Sequence, residues 1–116
     1  MSKASAIAAA DVRDAAPLFA ALGDETRLRL LVRLSSGGPG STSRLSAKSA
    51  VSRQAITKHL RVLSGAGLVR GSRRGREQIW ELEPKRLADA HAYLDRISMQ
   101  WDEALDRLKR LIEVRS

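Results

Sequence analysis

The chain has 116 residues, the usual size of a single domain, and its 43% hydrophobic and 29% charged residues are typical of a folded globular protein. It contains no cysteine, which excludes disulfides, thiolate metal sites and thiol nucleophiles, and its formal net charge is +8. No apolar run approaches the roughly 18 residues of a membrane span, and the alanine-rich start is too weakly hydrophobic for a secretory signal. We therefore expect a cytoplasmic protein.

The positive charge is concentrated in the middle of the chain. Residues 44–76 contain nine basic and no acidic residues, whereas residues 1–43 contain five basic and four acidic ones and residues 77–116 seven basic and nine acidic ones. A segment with one sign of charge has a positive potential that suits a polyanion. We expect a nucleic acid partner; the alternative is a solvated surface that only confers solubility.

The N-terminal part predicts a flexible end over residues 1–13 and then two short helices. Pro17 suits the first turn of the first helix, which Gly23 ends. Asp24 is a good N-cap for the second helix, which the glycine-rich residues 37–40 end. Within the second helix, apolar residues repeat at helical spacing and the arginines between them are expected mostly in solvent. The apolar residues are Leu28, Leu31 and Val32, and the arginines are Arg27, Arg29 and Arg33.

Two further helices joined by a tight turn are predicted next. The first begins at Ser41 or Thr42 and continues to about Ser49, and Ser52 caps the second after a turn at residues 50–51. The second helix buries Ile56, Leu60 and Leu63. Its opposite face holds three cations and two groups that can recognise base edges, although any one of them could be ordinary helix surface. The DNA-binding residues predicted here are Ser52, Arg53, Gln54, Thr57, Lys58 and Arg61.

Residues 68–82 predict two strands around a turn at residues 72–76. Arg73, Arg74 and Arg76 surround Gly75 at the end of this hairpin. A helix, a tight turn, a helix and a basic hairpin form a winged helix-turn-helix, in which the second helix enters the major groove and the wing contacts the DNA backbone. The predicted fold is thus mainly α with a small β-hairpin, and the DNA-binding domain covers residues 14–83.

Residues 84–116 predict one or two C-terminal dimerisation helices. Pro84 restarts the helix, and large apolar residues then recur every seven positions. An unbroken helix of up to about 28 residues, or roughly 42 Å, exceeds the width of so small a domain, so its apolar face needs a second subunit. The alternative is a break near residues 98–100 that folds the helix back. The predicted dimer interface comprises Leu87, Leu94, Trp101 and Leu108.

Two separated segments resemble one family of bacterial regulators. Residues 18–31 (LFAALGDETRLRLL) resemble the opening helices of the ArsR/SmtB family, and residues 52–63 (SRQAITKHLRVL) with 66–69 (AGLV) resemble its recognition helix and first wing strand. The resemblance implies a winged-helix homodimer that represses transcription from a palindromic operator, with its terminal helices at the dimer interface. The expected partners are therefore double-stranded DNA with an inverted repeat and a second copy of the chain, and an unidentified signal would release the DNA.

Many members of that family sense metals, but we expect no metal or other cofactor here. The helix before the recognition helix lacks the cysteines of one family site. Asp89, His91 and Asp102 resemble part of a second site, yet Leu105 occupies the position of its fourth ligand. Asp89 and Asp102 are then solvated, and His91 borders the dimer interface.

Three other interpretations remain. An enzyme is not expected, because the chain has two histidines, no cysteine and no glycine-rich phosphate loop. An architectural or non-specific DNA-binding protein without an effector is the main alternative, and a protein-interaction module is the third. His59 either packs at the edge of its helix, which we expect, or contacts phosphate or acts as a pH switch.

Overall fold

The computed structural model describes residues 9–115, with side chains to residue 113, so the first eight residues of the predicted flexible end lie outside it. This part of the chain forms five helices and a three-stranded antiparallel sheet. The mainly helical architecture with a small hairpin confirms the predicted winged helix-turn-helix. In chain order the elements are α1 (Ala9–Leu22), α2 (Glu25–Gly37), β1 (Gly40–Ser41), α3 (Thr42–Ala47), α4 (Arg53–Gly65), β2 (Val69–Arg74), β3 (Glu77–Leu82) and α5 (Pro84–Arg115).

Helix α1 begins earlier than predicted. Residues 9–13, expected to belong to a flexible end, form its first turn. An ion pair holds this turn in place, because the carboxylate of Asp11 accepts a hydrogen bond from Arg96 of α5 at 2.8 Å. Pro17 consequently lies inside the helix and not in its first turn.

Helix α2 has the predicted cap but buries a different face. Asp24 is the N-cap, and its side chain accepts a hydrogen bond from the backbone N–H of Arg27 at 3.0 Å. Leu28 and Val32, predicted to be in the core, are 47% and 65% exposed. The buried stripe is shifted around the helix because α2 packs its other side against α1 and α4. The buried residues of α2 are Leu30, Leu31 and Leu34.

The wing is a longer and tighter hairpin than predicted. Its strands run to a two-residue turn at Gly75 and Arg76, whereas the sequence predicted a turn over residues 72–76. Gly75 has φ +62°, and no described non-glycine residue has a positive φ. This pattern matches a type II′ turn, which requires glycine at its first central position. Arg73 and Arg74 therefore belong to β2, and only Arg76 lies in the turn.

A short strand that the sequence did not predict connects the wing to the helices. Gly40 of β1 pairs with Trp80 of β3, which gives the strand order β1-β3-β2. Trp80 packs over Gly71 of β2, where an added Cβ would lie 2.9 Å from the indole ring. Only glycine leaves room for this ring. Trp80 belongs to the same buried core as Leu18, Leu30, Ile56, Leu60, Leu63 and Leu68.

Helix α5 is continuous over 32 residues, about 48 Å at the standard rise, so the break considered near residues 98–100 does not occur. Leu87 and Ala90 near its start pack on the core. The remainder extends beyond the domain, and the molecule measures 68 × 26 × 21 Å. Within the described residues, no helix combines the length and apolar character needed to cross a membrane.

Candidate nucleic-acid interface

The start of α4 has a positive electrostatic character. Ser52 is its N-cap, as predicted, and the hydroxyl oxygen accepts a hydrogen bond from the N–H of Ala55 at 3.2 Å. The first turn contains no acidic residue. The unpaired N–H groups and the helix dipole therefore present a positive end that favours a phosphate group. Ser52 serves this end as its cap.

Helix α4 separates an apolar face from a cationic one. Ile56, Leu60 and Leu63 are fully buried. On the opposite side the residues predicted to bind DNA are exposed, except Thr57, which is half-buried. They line one open depression along the helix, so the fold brings the whole predicted set together. The lining consists of Ser52, Arg53, Gln54, Ala55, Thr57, Lys58 and Arg61.

The side chains of Gln54 and Thr57 differ in which hydrogen-bonding groups remain free. The hydroxyl of Thr57 donates to the carbonyl of Arg53 at 2.9 Å, so its oxygen is left as an acceptor and its methyl group as an apolar contact. The amide of Gln54 makes no hydrogen bond within the described residues, and both its donor and acceptor are available. Gln54 is therefore the better equipped of the two to recognise a base edge.

Helix α3, the first helix of the helix-turn-helix, is fixed by an arginine that the sequence placed in solvent. It ends at Ala47, two residues earlier than predicted. Arg33 of α2 donates to the carbonyls of Leu45 at 2.7 Å and Arg44 at 3.2 Å. These carbonyls lie at the helix end, where intrahelical donors are missing. The helical periodicity of α2 gave no signal for this role.

The wing arginines lie on different faces of the hairpin. Side chains alternate along a strand, so Arg73 shares a face with Gly71 and its partner Trp80, while Arg74 is on the other face opposite Glu77. Arg73, Arg74 and Arg76 are all exposed. None of them forms an ion pair within the part of the chain that the structure describes. All three are therefore available to bind phosphate.

Arg70 differs from the other cations of residues 44–76 because it forms ion pairs within the chain. Its guanidinium lies 2.8 Å from a carboxylate oxygen of Glu81 and 3.4 Å from one of Glu83. The hydrogen bond and charge of Glu81, with the charge of Glu83, raise the pKa of Arg70. These two carboxylates neutralise Arg70, which consequently contributes less to the positive surface than its neighbours on the same strand.

The residues considered as metal ligands have other partners or lie far apart. Asp89 accepts a hydrogen bond from Arg86 at 2.9 Å, and His91 lies 3.3 Å from the carboxylate of Asp95. Asp102 is 13 positions beyond Asp89 on the same helix, a separation of about 20 Å. Among the described residues, no group of three or more candidate ligands could hold one metal ion. Leu105 belongs to the exposed apolar face of α5.

That apolar face carries most of the predicted dimer residues. Leu94, Trp101 and Leu108 are 52%, 65% and 55% exposed, whereas Leu87 packs against the core of its own chain. The four residues lie along one side of α5. The side that packs on the core near the start of the helix continues outward, where no other element of the described residues covers it.

His59 lies at the edge of α4, as one of the two interpretations predicted. Its side chain is 23% exposed, and its Nδ1 atom is 3.3 Å from Nη1 of Arg27. Sequence periodicity placed Arg27 in solvent, yet its guanidinium also donates to backbone carbonyls of α1. The periodicity did not predict these hydrogen bonds of Arg27, because a long side chain on the flank of a helix can reach a neighbouring element.

Comparison with known proteins shows that the chain is similar to helix-turn-helix transcriptional regulators. The family model described as "Helix-turn-helix domain" matches residues 22–72. The HTH-type transcriptional regulator Rv2034 of Mycobacterium tuberculosis is 37% identical over 93 residues, which cover 80% of this chain and 83% of that protein. An ArsR-like transcriptional regulator from Rhodococcus sp. RHA1 has 36% identity and a TM-score of 0.84 over 92% of this chain and 97% of its own.

A more distant structure shares the fold. The winged helix-turn-helix DNA-binding domain of Mb0332 from Mycobacterium bovis, described as homodimeric, superposes with a TM-score of 0.64 at 22% identity. The match covers 79% of this chain and 84% of that domain.

Proposed function

Because this chain belongs to the ArsR family of winged helix-turn-helix transcriptional regulators, we propose that it binds double-stranded DNA as a homodimer and recognises an inverted-repeat operator through α4. The observation that carries this proposal is the exposed face of α4. It combines the cations Arg53, Lys58 and Arg61 with the free amide of Gln54 and contains no carboxylate. The cations hold the DNA backbone, and the amide and Thr57 contact base edges.

The homodimer is supported by the uncovered apolar face of α5. Trp101 and Leu108 are more than half exposed on a helix that extends beyond its own domain, and exposed apolar surface of this extent favours association. The homodimeric domain from Mycobacterium bovis has the same fold. Two-fold symmetry would present two copies of α4 to successive turns of the major groove, which predicts half-sites about one helical turn apart.

We infer that the dimer acts as a repressor and that an unidentified signal releases it. A protein that occupies an operator through the recognition helix and wing of both subunits covers the duplex and blocks other proteins from it. The wing adds affinity through Arg73, Arg74 and Arg76, whose side chains reach phosphate oxygens.

Selection of bound fragments from genomic DNA tests this function. The purified protein is expected to enrich fragments that share an inverted repeat, with half-site centres about 10 base pairs apart. Enrichment without a shared sequence would favour a non-specific or architectural DNA-binding protein. Absence of binding to any duplex at low salt would favour a protein-interaction module instead.

A further inference from the structure

Arg27 of α2 contacts both the end of α1 and the recognition helix α4. From α2, its Nε donates to the carbonyl of Ala21 at 2.7 Å and its Nη2 to that of Ala20 at 3.2 Å. Both carbonyls belong to the C-terminal turn of α1, where intrahelical donors are missing. The remaining Nη1 meets Nδ1 of His59 on α4 at 3.3 Å. One guanidinium thus connects the end of α1 to the recognition helix.

Asp24 is the second charged group beside His59. Its Oδ2 lies 3.8 Å from the same Nδ1 atom and also accepts the N–H of Arg27 as the cap of α2. The Nδ1 atom therefore faces both a guanidinium that can donate to it and a carboxylate that can accept from it. Within the described residues, Asp24 is the carboxylate within 4 Å of the ring nitrogens and Arg27 is the cation within hydrogen-bond distance of them.

Other charged groups on the elements packed against α4 have partners or positions elsewhere. The carboxylates of α1 are bound by arginines of α5, and the one cation of α1, Arg13, is exposed. The remaining charges of α2 are bound to one another or to α3, and the cations of α3 line a separate pocket. The cations of β2 are bound to β3 or lie near the turn of the wing, and those of α4 itself are on its exposed face. These groups are Asp11, Arg13 and Asp14 on α1; Glu25, Arg29 and Arg33 on α2; Arg44 and Lys48 on α3; Arg70, Arg73 and Arg74 on β2; and Arg53, Lys58 and Arg61 on α4.

We propose that the Arg27–His59 link positions α4 for sequence-specific DNA binding and that protonation of His59 breaks this link; the inference rests on the proposed function. A neutral ring with its proton on Nε2 offers Nδ1 as an acceptor to Arg27. Protonation of Nδ1 turns both partners into donors and places two positive charges 3.3 Å apart. The new N–H then turns toward Asp24, and α4 loses its hydrogen-bonded link through Arg27 to the end of α1, while the packing of the two helices remains.

The sign of the pH effect follows from this geometry. The link requires the neutral ring of His59 and is lost when acid protonates that ring. Sequence preference should therefore weaken on acidification. Simple electrostatics predicts the opposite, because a protein that gains positive charge binds DNA more tightly. Arg27 and His59 are thus positioning residues, and their link predicts that acid weakens sequence preference.

The test measures the affinity of the full-length protein for two fluorescein-labelled duplexes at constant ionic strength. One contains the inverted repeat recovered from genomic DNA, and the other is its shuffled counterpart. Between about pH 8 and about pH 5.5, the ratio of the two affinities should fall about three- to tenfold, the effect of one hydrogen bond. A ratio that stays constant or rises on acidification would overturn the proposal, and this result needs no variant.

Two substitutions of His59 separate positioning from mere packing. His59→Asn places an amide oxygen near the position of Nδ1 and does not titrate, so its ratio should not depend on pH. His59→Leu lacks the acceptor, and its ratio should be low at both pH values. His91→Gln is the matched control, because His91 is 80% exposed on α5, and this variant should retain the pH dependence of the wild type.

The outcomes distinguish the link from the function on which it rests. A His59→Asn protein that keeps the full pH dependence would contradict the link alone. A wild-type protein with no preference for the inverted repeat even at about pH 8 would instead contradict the proposed function. Circular dichroism at both pH values verifies that each compared protein is folded.

Discussion

The indole N–H of Trp80 donates to the hydroxyl of Thr42 at 2.8 Å, and this bond joins β3 of the wing to the first residue of α3. Both residues are buried, at 7% and 6% exposure. The pairing of β1 with β3 runs beside the same contact. The wing and the helix-turn-helix are consequently held as one unit, so that the wing arginines have a defined position relative to α4.

Replacing Thr42 by valine should destabilise the fold. The substitution keeps the shape of the side chain but leaves the indole N–H of Trp80 buried without an acceptor, which costs about 1–3 kcal/mol. Urea unfolding followed by tryptophan fluorescence measures the loss. Thr42→Ser keeps the hydroxyl and is expected to lie nearer the wild type. Equal stability of the wild type and Thr42→Val would show that this bond contributes nothing.

Acid should remove the stabilisation that Asp24 gives to α2. The hydrogen bond from the backbone N–H of Arg27 is the main cause that lowers the pKa of Asp24, with smaller contributions from the charges of His59 and Arg27. A depressed pKa means that the contribution is complete above the ordinary aspartate pKa and is lost as the pH falls below about 4.

Asp24→Asn tests this assignment because asparagine can still cap the helix but does not titrate. Thermal unfolding of both proteins between about pH 3 and about pH 7 gives the comparison. The wild type should lose its advantage over Asp24→Asn in the acidic range. A difference in Tm that is the same at every pH would rule out the titration of Asp24 as its source.

Charges on the apolar face of α5 should dissociate the dimer. Trp101→Asp combined with Leu108→Asp places two carboxylates in the proposed interface, where they would be desolvated without partners. Sedimentation at micromolar concentration should show a monomer. Met99 is about 200° around the helix from Trp101, so Met99→Asp is the matched control and should remain dimeric. A wild-type monomer, or an unchanged dimer in the double variant, would contradict this interface.

Removing the wing arginines should weaken binding to all DNA to a similar degree. Each contact with one phosphate contributes about 0.9 to the slope of log affinity against log salt, or about 1.8 per arginine in a symmetric dimer. Combined alanine substitution of Arg73, Arg74 and Arg76 should lower this slope on the operator and on shuffled DNA. Arg70→Ala is the control on the same hairpin, because Glu81 and Glu83 already bind that guanidinium.

Two results would change the role assigned to the wing. An unchanged salt slope in the triple variant would mean that these arginines do not contact the backbone. A loss restricted to the operator would mean that the wing recognises sequence or the shape of the minor groove, whose width depends on A·T content.

Local patterns in the sequence predicted the parts of this fold that depend on neighbouring residues. The caps Asp24 and Ser52 are both present, since a short polar side chain before an apolar repeat satisfies N–H groups a few positions away. The buried positions Ile56 and Leu60 were also predicted, because α4 has one clear apolar face. The residues of the proposed DNA-binding face then followed as its complement.

Features that depend on distant residues were not predictable in the same way. The buried side of α2 was placed incorrectly, with Leu28 and Val32 in the core, because apolar residues occur on more than one side of this helix. The roles of Arg27 and Arg33 depend on carbonyls of α1 and α3 that only the folded chain brings near. Thr42 gave no signal, since its partner Trp80 is 38 positions away.

Base recognition by Gln54 is the most direct test of a sequence-specific α4. The measurement is the ratio of affinities for the selected inverted repeat and for a shuffled duplex of the same length, in the wild type and in Gln54→Ala, at one salt concentration. A good base contact contributes about 1–3 kcal/mol of discrimination, so the ratio should fall by about 5- to 150-fold for each half-site that makes the contact, while affinity for shuffled DNA changes little. A Gln54→Ala protein that keeps the full wild-type ratio would contradict the claim that α4 recognises sequence through Gln54.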